Sequence, residues 1–276
     1  MAHQAPVHFF DILSALPAPT KSWSPNTLKI RLALNYKRIP YTQSYVSLPD
    51  IEPLLKSLSI PPHAPGTAPK PYTLPAIIHP SLKSDSNPVG ALNDSIPIAL
   101  HLDALFPAPE YPRLFPNHQA SYALALAVNE LMRNVVFAGY TLLVGRIAEI
   151  LDEPRGREYF VRTRGEAFGK PLAEVRPTDQ DEVARLIGEM KKKMGVVSQM
   201  LKKAGANNKP GPFFEGDQPS LADFIFQAFL LLVKISDEDL WGQLVGVGDG
   251  EVRALWDAVY PWVEGQGEEV AWDVLK

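Results

Sequence analysis

Over its first hundred residues the chain alternates short apolar runs with amphipathic stretches, and beyond them only helical periodicity continues. Val7 to Leu13 (VHFFDIL) reads as a short buried strand, and Ser24 to Lys37 as a helix with apolar positions at Leu28, Ile30, Leu32, Ala33 and Leu34. Tyr41 to Val46 alternates as a second strand, and Asp50 to Ser59 reads as a short helix. Tyr72 to His79 and Val89 to Leu92 are two further extended pieces, close enough to pair as a hairpin, and a helix follows from Asp94 to Leu105. The predicted order is therefore βαβαββα. From Asn117 onward long amphipathic helices take over, the clearest from Asp179 to Ala204, where Val183, Leu186, Ile187, Met190, Met194, Val197 and Leu201 keep 3–4 spacing. The proline-rich stretch Phe106 to Pro116 (FPAPEYPRLFP) separates the two regimes. The expected organisation is an α/β unit over 1–106, a linker over 107–116 and an all-helical unit over 117–276.

Composition narrows what such a chain does. With 276 residues, 46% of them hydrophobic, it can bury a sizeable core without a staple. It has no cysteine, so it carries neither a disulfide framework nor a thiol nucleophile. A net charge of -4 with dispersed basic residues gives no electrostatic footprint for nucleic acid. The N-terminal MAHQAPVHFFDILSA lacks a basic region leading into a long apolar stretch, and the most apolar segment, Phe224 to Val233, is far shorter than the ~20 residues that cross a bilayer. The expectation is a cytoplasmic protein with a small-molecule partner and no membrane or nucleic-acid role. Histidines at positions 3, 8, 63, 79, 101 and 118 form no i, i+4 pair, so no metal is expected. Gly246-x-Gly248-x-Gly250 follows no strand and reads as a turn before a helix.

Three short strings carry candidate chemistry. Trp23-Ser24-Pro25-Asn26-Thr27-Leu28 reads as a helix start with Ser24 as N-cap, Pro25 at the first helical position, and Trp23 and Leu28 spaced as a hydrophobic staple. A capping serine accepts through its oxygen and keeps its O–H as a donor, so cap and ligand contact are compatible. In Tyr72-Thr73-Leu74-Pro75-Ala76-Ile77 a proline opens an apolar strand, which fits a trans proline at an edge or a cis proline in a turn. In a thioredoxin-like unit the cis turn leaves the Leu74 backbone open to an extended peptide. Asn93-Asp94-Ser95-Ile96-Pro97-Ile98 is another helix start, where Ser95 suits a carboxylate and Asp94 an α-ammonium, or where either is a plain cap.

Taken in order, the three strings resemble the glutathione transferases. That resemblance implies a thioredoxin-like N-terminal domain followed by an all-helical domain, with glutathione as co-substrate. It also implies Ser24 as the catalytic residue, with Asn26 as a second donor to the sulfur. Leu74 and Pro75 would hold the cysteinyl backbone, and Asp94 and Ser95 the γ-glutamyl end. Pro219-Ser220-Leu221-Ala222-Asp223 matches the family's N-capping motif in the helical half. Further strings are similar to the fungal class called FuA, related to glutathione-dependent β-etherases. They are Ser24-Pro25-Asn26-Thr27 with Lys29 and Arg31-Leu32-Ala33-Leu34-Asn35, Pro49-Asp50-Ile51-Glu52-Pro53, and Glu158-Tyr159-Phe160 with Arg164 and Phe168-Gly169. The resemblance implies a homodimer acting on hydrophobic, aromatic or phenolic molecules, with hydroperoxide reduction as a side activity. Phe137, Tyr140 and Phe168 are the expected wall for the second substrate, and the proline-rich loop Ile60 to Pro71 reads either as an ordinary surface loop or as a cover from which His63 or Lys70 reaches the glycine carboxylate. A non-catalytic ligandin and a β-aryl etherase are the alternatives.

Overall fold

The computed structural model describes residues 6–18, 20–66, 70–152, 154–202, 211–265 and 267–273. The N-terminal half runs β1 (Val7–Ile12), α1 (Pro25–Lys37), β2 (Tyr41–Val46), α2 (Ile51–Ser57), β3 (Ala76–Ile78), β4 (Ala91–Asn93) and α3 (Ser95–Leu105). The helical half follows with α4 (Gln119–Ala138), α5 (Tyr140–Glu149), α6 (Arg155–Phe168), α7 (Gln180–Leu201), α8 (Leu221–Ser236), α9 (Glu238–Val245) and α10 (Glu251–Val259). This is the predicted order, a thioredoxin-like sheet unit and then helices. The extended piece foreseen from Tyr72 shortens to Ala76–Ile78. Pro75 has no N–H to give a ladder, and the residues before it stay outside the sheet. The Leu74–Pro75 peptide bond is cis, and so is Ala108–Pro109. Pro97 fits the first turn of α3, where N–H groups lack intrahelical acceptors in any case.

The chain ends with a strand that its local pattern does not announce. β5 (Glu268–Glu269) returns to the N-terminal unit, and the sheet order becomes β4-β3-β1-β2-β5. β1 pairs in parallel with β2 and antiparallel with β3, while β5 lies parallel to β2 and covers what would be an open edge. The Val270 N–H donates to the Gln43 carbonyl at 2.8 Å, and Trp272 packs against His8 and Phe10 with ring centroids 4.9 and 5.0 Å apart. Upstream, Arg31 donates to the carbonyls of Val263 and Gly265 at 3.0 to 3.1 Å, and Asn35 donates to those of Trp262 and Gly265 at 2.7 Å. The end of the chain is thus fastened to α1, the helix that begins just after Ser24.

The core is continuous between the halves because α8 packs on both α1 and α4. Nearly all of α8 is buried, as its unbroken apolar run requires. Its start is built as the sequence predicts: the Asp223 carboxylate accepts from the Ser220 N–H at 2.7 Å, the Ser220 hydroxyl at 3.0 Å and the Phe214 N–H at 2.9 Å. No helix among the described residues is long and apolar enough to cross a membrane.

Candidate functional site

α1 begins where the sequence places it, with Ser24 in extended geometry at the N-cap position and Pro25 as the first helical residue. The Leu28 N–H donates to the Ser24 carbonyl at 2.9 Å, which closes the first turn. The expected side-chain cap is not made. Among the described residues the Ser24 hydroxyl has no hydrogen-bond partner, although the residue is only 7% exposed. Its direction explains this: the side chain lines a cleft of about 620 Å³ instead of turning back onto the helix. Asp94 repeats the pattern at α3. It occupies the N-cap position with φ 79° and ψ 137°, and its carboxylate caps nothing. Asp179 and Asp237, at the starts of α7 and α9, do cap their helices.

The loop before α1 is held by Asp11, a fully buried carboxylate at the end of β1. It accepts from the Ile12 N–H at 2.7 Å and from the Ser22 hydroxyl, while the Thr27 hydroxyl donates to the Ser24 carbonyl at 3.1 Å. Burial raises its pKa, and these hydrogen bonds and the Arg31 charge oppose the rise. Strand end, loop and first helical turn therefore form one rigid unit around Ser24.

The cleft lies between this unit, the α2 segment and α6. Trp23, Ser24, Asn26, Thr73 and Leu74 line one side, and Tyr159, Phe160 and Arg164 line the other. Lys56 and Lys70 stand along its rim. α6 is fastened over the cleft by two links. The Arg155 guanidinium makes a two-pronged pair with Asp50 at 2.7 and 2.9 Å, and the Ser47 hydroxyl donates to Asp152 at 2.8 Å.

The remaining predicted residues fall into two groups. Leu74 and Pro75 adjoin Asp94 directly, because the Asp94 N–H donates to the Pro75 carbonyl at 3.2 Å. Among the described residues the Leu74 N–H and carbonyl have no partner, so both are open to the cleft. Ser95 is buried beside Asp94. Lys70 lines the cleft, whereas His63 bonds to the Thr73 hydroxyl at 2.9 Å and is not part of the lining. Phe137, Tyr140 and Phe168 contact one another, with Phe137–Tyr140 centroids 5.7 Å apart and Tyr140–Phe168 stacked at 6.3 Å, but none of them lines the cleft. The helical step accounts for the difference: Phe160, Arg164 and Phe168 share a face of α6, and only the N-terminal two reach the opening.

One buried group beside the cleft belongs to a string that the sequence singles out, but with no role attached. Lys29 is 2% exposed, and its ammonium donates to Asn26 Oδ1 at 2.9 Å and to Asn129 Oδ1 at 2.7 Å, with the Phe229 ring 4.9 Å away. Burial lowers its pKa to about 7. A signal was present, because the apolar positions of α1 surround the whole helix. A lysine inside such a helix has no solvent face to occupy.

The comparisons agree with this geometry. Residues 23–105 match the family model for the glutathione S-transferase N-terminal domain, and residues 123–262 match that for the C-terminal domain. The glutathione S-transferase-like protein ustS of Aspergillus flavus is 52% identical over 98% of this chain and 96% of its own length. Among solved structures, a glutathione S-transferase of Ceriporiopsis subvermispora in complex with glutathione is 28% identical with a TM-score of 0.78, over 94% of this chain and 98% of that one. The glutathione transferase GSTFuA3 of Phanerochaete chrysosporium is 27% identical with a TM-score of 0.77, over the same shares.

Proposed function

The chain belongs to the glutathione S-transferase family, and from that premise we propose that it binds glutathione along the cleft and activates the thiol through Ser24 for attack on hydrophobic, aromatic electrophiles. The observation that carries this reading is the Ser24 hydroxyl, which sits at a helix start, faces the cleft and spends neither its proton nor its lone pairs on a cap.

In this reading the tripeptide lies extended. The open backbone of Leu74 pairs with the cysteinyl residue as an added strand would, next to Pro75. Asp94 takes the α-ammonium of the γ-glutamyl end, and Ser95, with its N–H at the start of α3, takes the α-carboxylate. Lys70 on the rim meets the glycine carboxylate. The sulfur then arrives over the start of α1. The thiol gives its proton to solvent, and the thiolate accepts hydrogen bonds from Ser24 and Asn26.

The magnitudes suffice. Lowering a thiol from ~8.5 by about two pKa units requires ~2.7 kcal/mol of preference for the thiolate. One hydrogen bond to a charged acceptor contributes about 1.5–3 kcal/mol, and the helix terminus adds ~0.3–1 kcal/mol. The second substrate enters against Tyr159, Phe160 and Arg164, with the Phe137–Tyr140–Phe168 ring chain behind them. The thiolate attacks its electrophilic carbon and the S–C bond forms; an aryl halide then releases halide with the electron pair, and an isothiocyanate takes the pair onto its nitrogen and a proton from solvent. Since the chain has no cysteine, attack by a protein thiol on a mixed disulfide is outside this chemistry.

The test is turnover. Conjugation of glutathione to an isothiocyanate or aryl halide supports the transferase reading. Cleavage of an aryl ether model compound with neither of those activities favours the etherase. Tight binding of aromatic ligands without turnover of any of them identifies a ligandin.

A further inference from the structure

We propose that Lys29 is a positioning residue for the thiolate: it fixes the Asn26 amide with its NH2 end toward the sulfur and places a buried positive charge behind that amide. This rests on the reading of Ser24 and Asn26 as the thiol site.

The orientation follows from donor counting. A lysine ammonium has three donors and no acceptor, so the Asn26 atom 2.9 Å from it is the carbonyl oxygen. Asn26 lines the cleft, and with its oxygen committed to Lys29 its NH2 is the end left to meet a ligand. Lys29 is itself fixed from two further sides. Asn129 on α4 accepts at 2.7 Å and the Phe229 ring on α8 lies 4.9 Å off, and the residue is 2% exposed.

The charge is the unusual part. Both hydrogen-bond partners are neutral amides, and among the described residues no carboxylate lies within ion-pair distance of the ammonium. Two charges act on it from neighbouring elements: Asp94 at the start of α3 favours the ammonium, and Arg133 on α4 opposes it. Lys37, the other buried lysine of α1, has its own carboxylate, Asp103, at 2.8 Å. Packing alone would be served as well by an apolar side chain, because a buried charge without a counter-ion is costly. A thiolate in front of Asn26 supplies that counter-ion. The two charges then favour each other: the ammonium lowers the thiol pKa, and the thiolate raises the proton affinity of Lys29 by the same amount. Across one amide, at roughly 8 Å and an effective dielectric constant of about 20, the coupling amounts to about one and a half pKa units, roughly thirtyfold.

The full chain with glutathione bound is titrated by thiolate ultraviolet absorbance in wild type, Lys29→Met, Asn26→Ala and the double variant. The expected result is a rise of at least about one and a half units in the bound-thiol pKa for Lys29→Met, and a double variant that exceeds Asn26→Ala by about one and a half units, because the charge acts on the thiolate with or without the amide between them. Affinity for S-methylglutathione, which has no thiol to ionise, should stay within twofold. A packing role would instead weaken S-methylglutathione binding and leave the thiol pKa in place, which overturns the proposal. Should Lys29→Met not fold, nitrogen NMR of the Lys29 ammonium in wild type answers the same question. Its pKa should rise with glutathione and not with S-methylglutathione, and equal values in the two complexes overturn the proposal. A bound thiol of ordinary pKa in wild type overturns the Ser24 reading along with this one. A lowered pKa that Ser24→Ala raises and Lys29→Met leaves unchanged overturns this one alone.

Discussion

Replacing Arg31 by Met should loosen the fastening between α1 and the end of the chain, and the cost can be worked from its contacts. Arg31 is 1% exposed, and three of its hydrogen bonds go to two carbonyls, those of Val263 and Gly265. Gly265 is exposed, so water replaces the lost donor there at little cost. Val263 is 1% exposed, and its carbonyl would be left without that donor, for about 1–3 kcal/mol. Buried Asp11, whose burial raises its pKa, would also lose the Arg31 charge that opposes that rise, for about 1–2 kcal/mol more. Methionine recovers some of the packing. The net expectation is a loss of about 3 kcal/mol, a large share of the ~5–15 kcal/mol typical of a native protein. Arg31→Lys keeps the charge and reaches fewer carbonyls, so it should fall between Met and wild type. Urea unfolding followed by tryptophan fluorescence measures both. A loss below about 1 kcal/mol for Arg31→Met, or a Lys variant no better than Met, would refute this account.

Two further outcomes follow from the structure. Asp94 holds a positive φ that residues with a Cβ enter at about 1–3 kcal/mol, so Asp94→Gly should raise stability by about 1 kcal/mol in urea unfolding while glutathione affinity falls in calorimetry; a destabilised variant contradicts this. Burial pushes Asp223 up to about 6 against the hydrogen bonds from Phe214 and Ser220, so the folded state keeps a proton that the unfolded chain releases near pH 4. This group therefore makes stability fall as pH rises from about 4 to about 6, by at most ~3 kcal/mol, and then level off. Urea midpoints measured across that range should lose this part of the slope in Asp223→Asn, and an unchanged slope contradicts it.

The sequence carried most of the architecture because the relevant signals are local. Strand and helix periods marked seven N-terminal elements in order, and the Ser220–Asp223 motif marked the start of α8. What stayed hidden depends on distant partners or on side-chain direction. β5 has only two residues and no alternating pattern, and pairing with an edge strand more than 200 positions away is what orders it. Ser24 and Asp94 are cap residues by type and position, yet both decline the cap, and no sequence rule tells a serine facing its helix from one facing a cleft. Phe168 was the α6 aromatic expected at the second-substrate wall, whereas the packing of α6 against Asp50 and Ser47 brings Tyr159 and Phe160 to the cleft. The burial of Lys29 was legible only through the all-round burial of α1, which a list of its apolar positions does not display.

The central claim is that Ser24 holds the glutathione thiolate, and ultraviolet titration of the bound thiol in wild type and in Ser24→Ala tests it most directly. Because the hydroxyl makes no cap bond, the variant should lose well under the ~1 kcal/mol of a missing cap, so the fold survives and the comparison is clean. The bound-thiol pKa should lie about two units below the free value in wild type and rise by at least one unit in Ser24→Ala. A thiolate signal that titrates identically in the two proteins would contradict it.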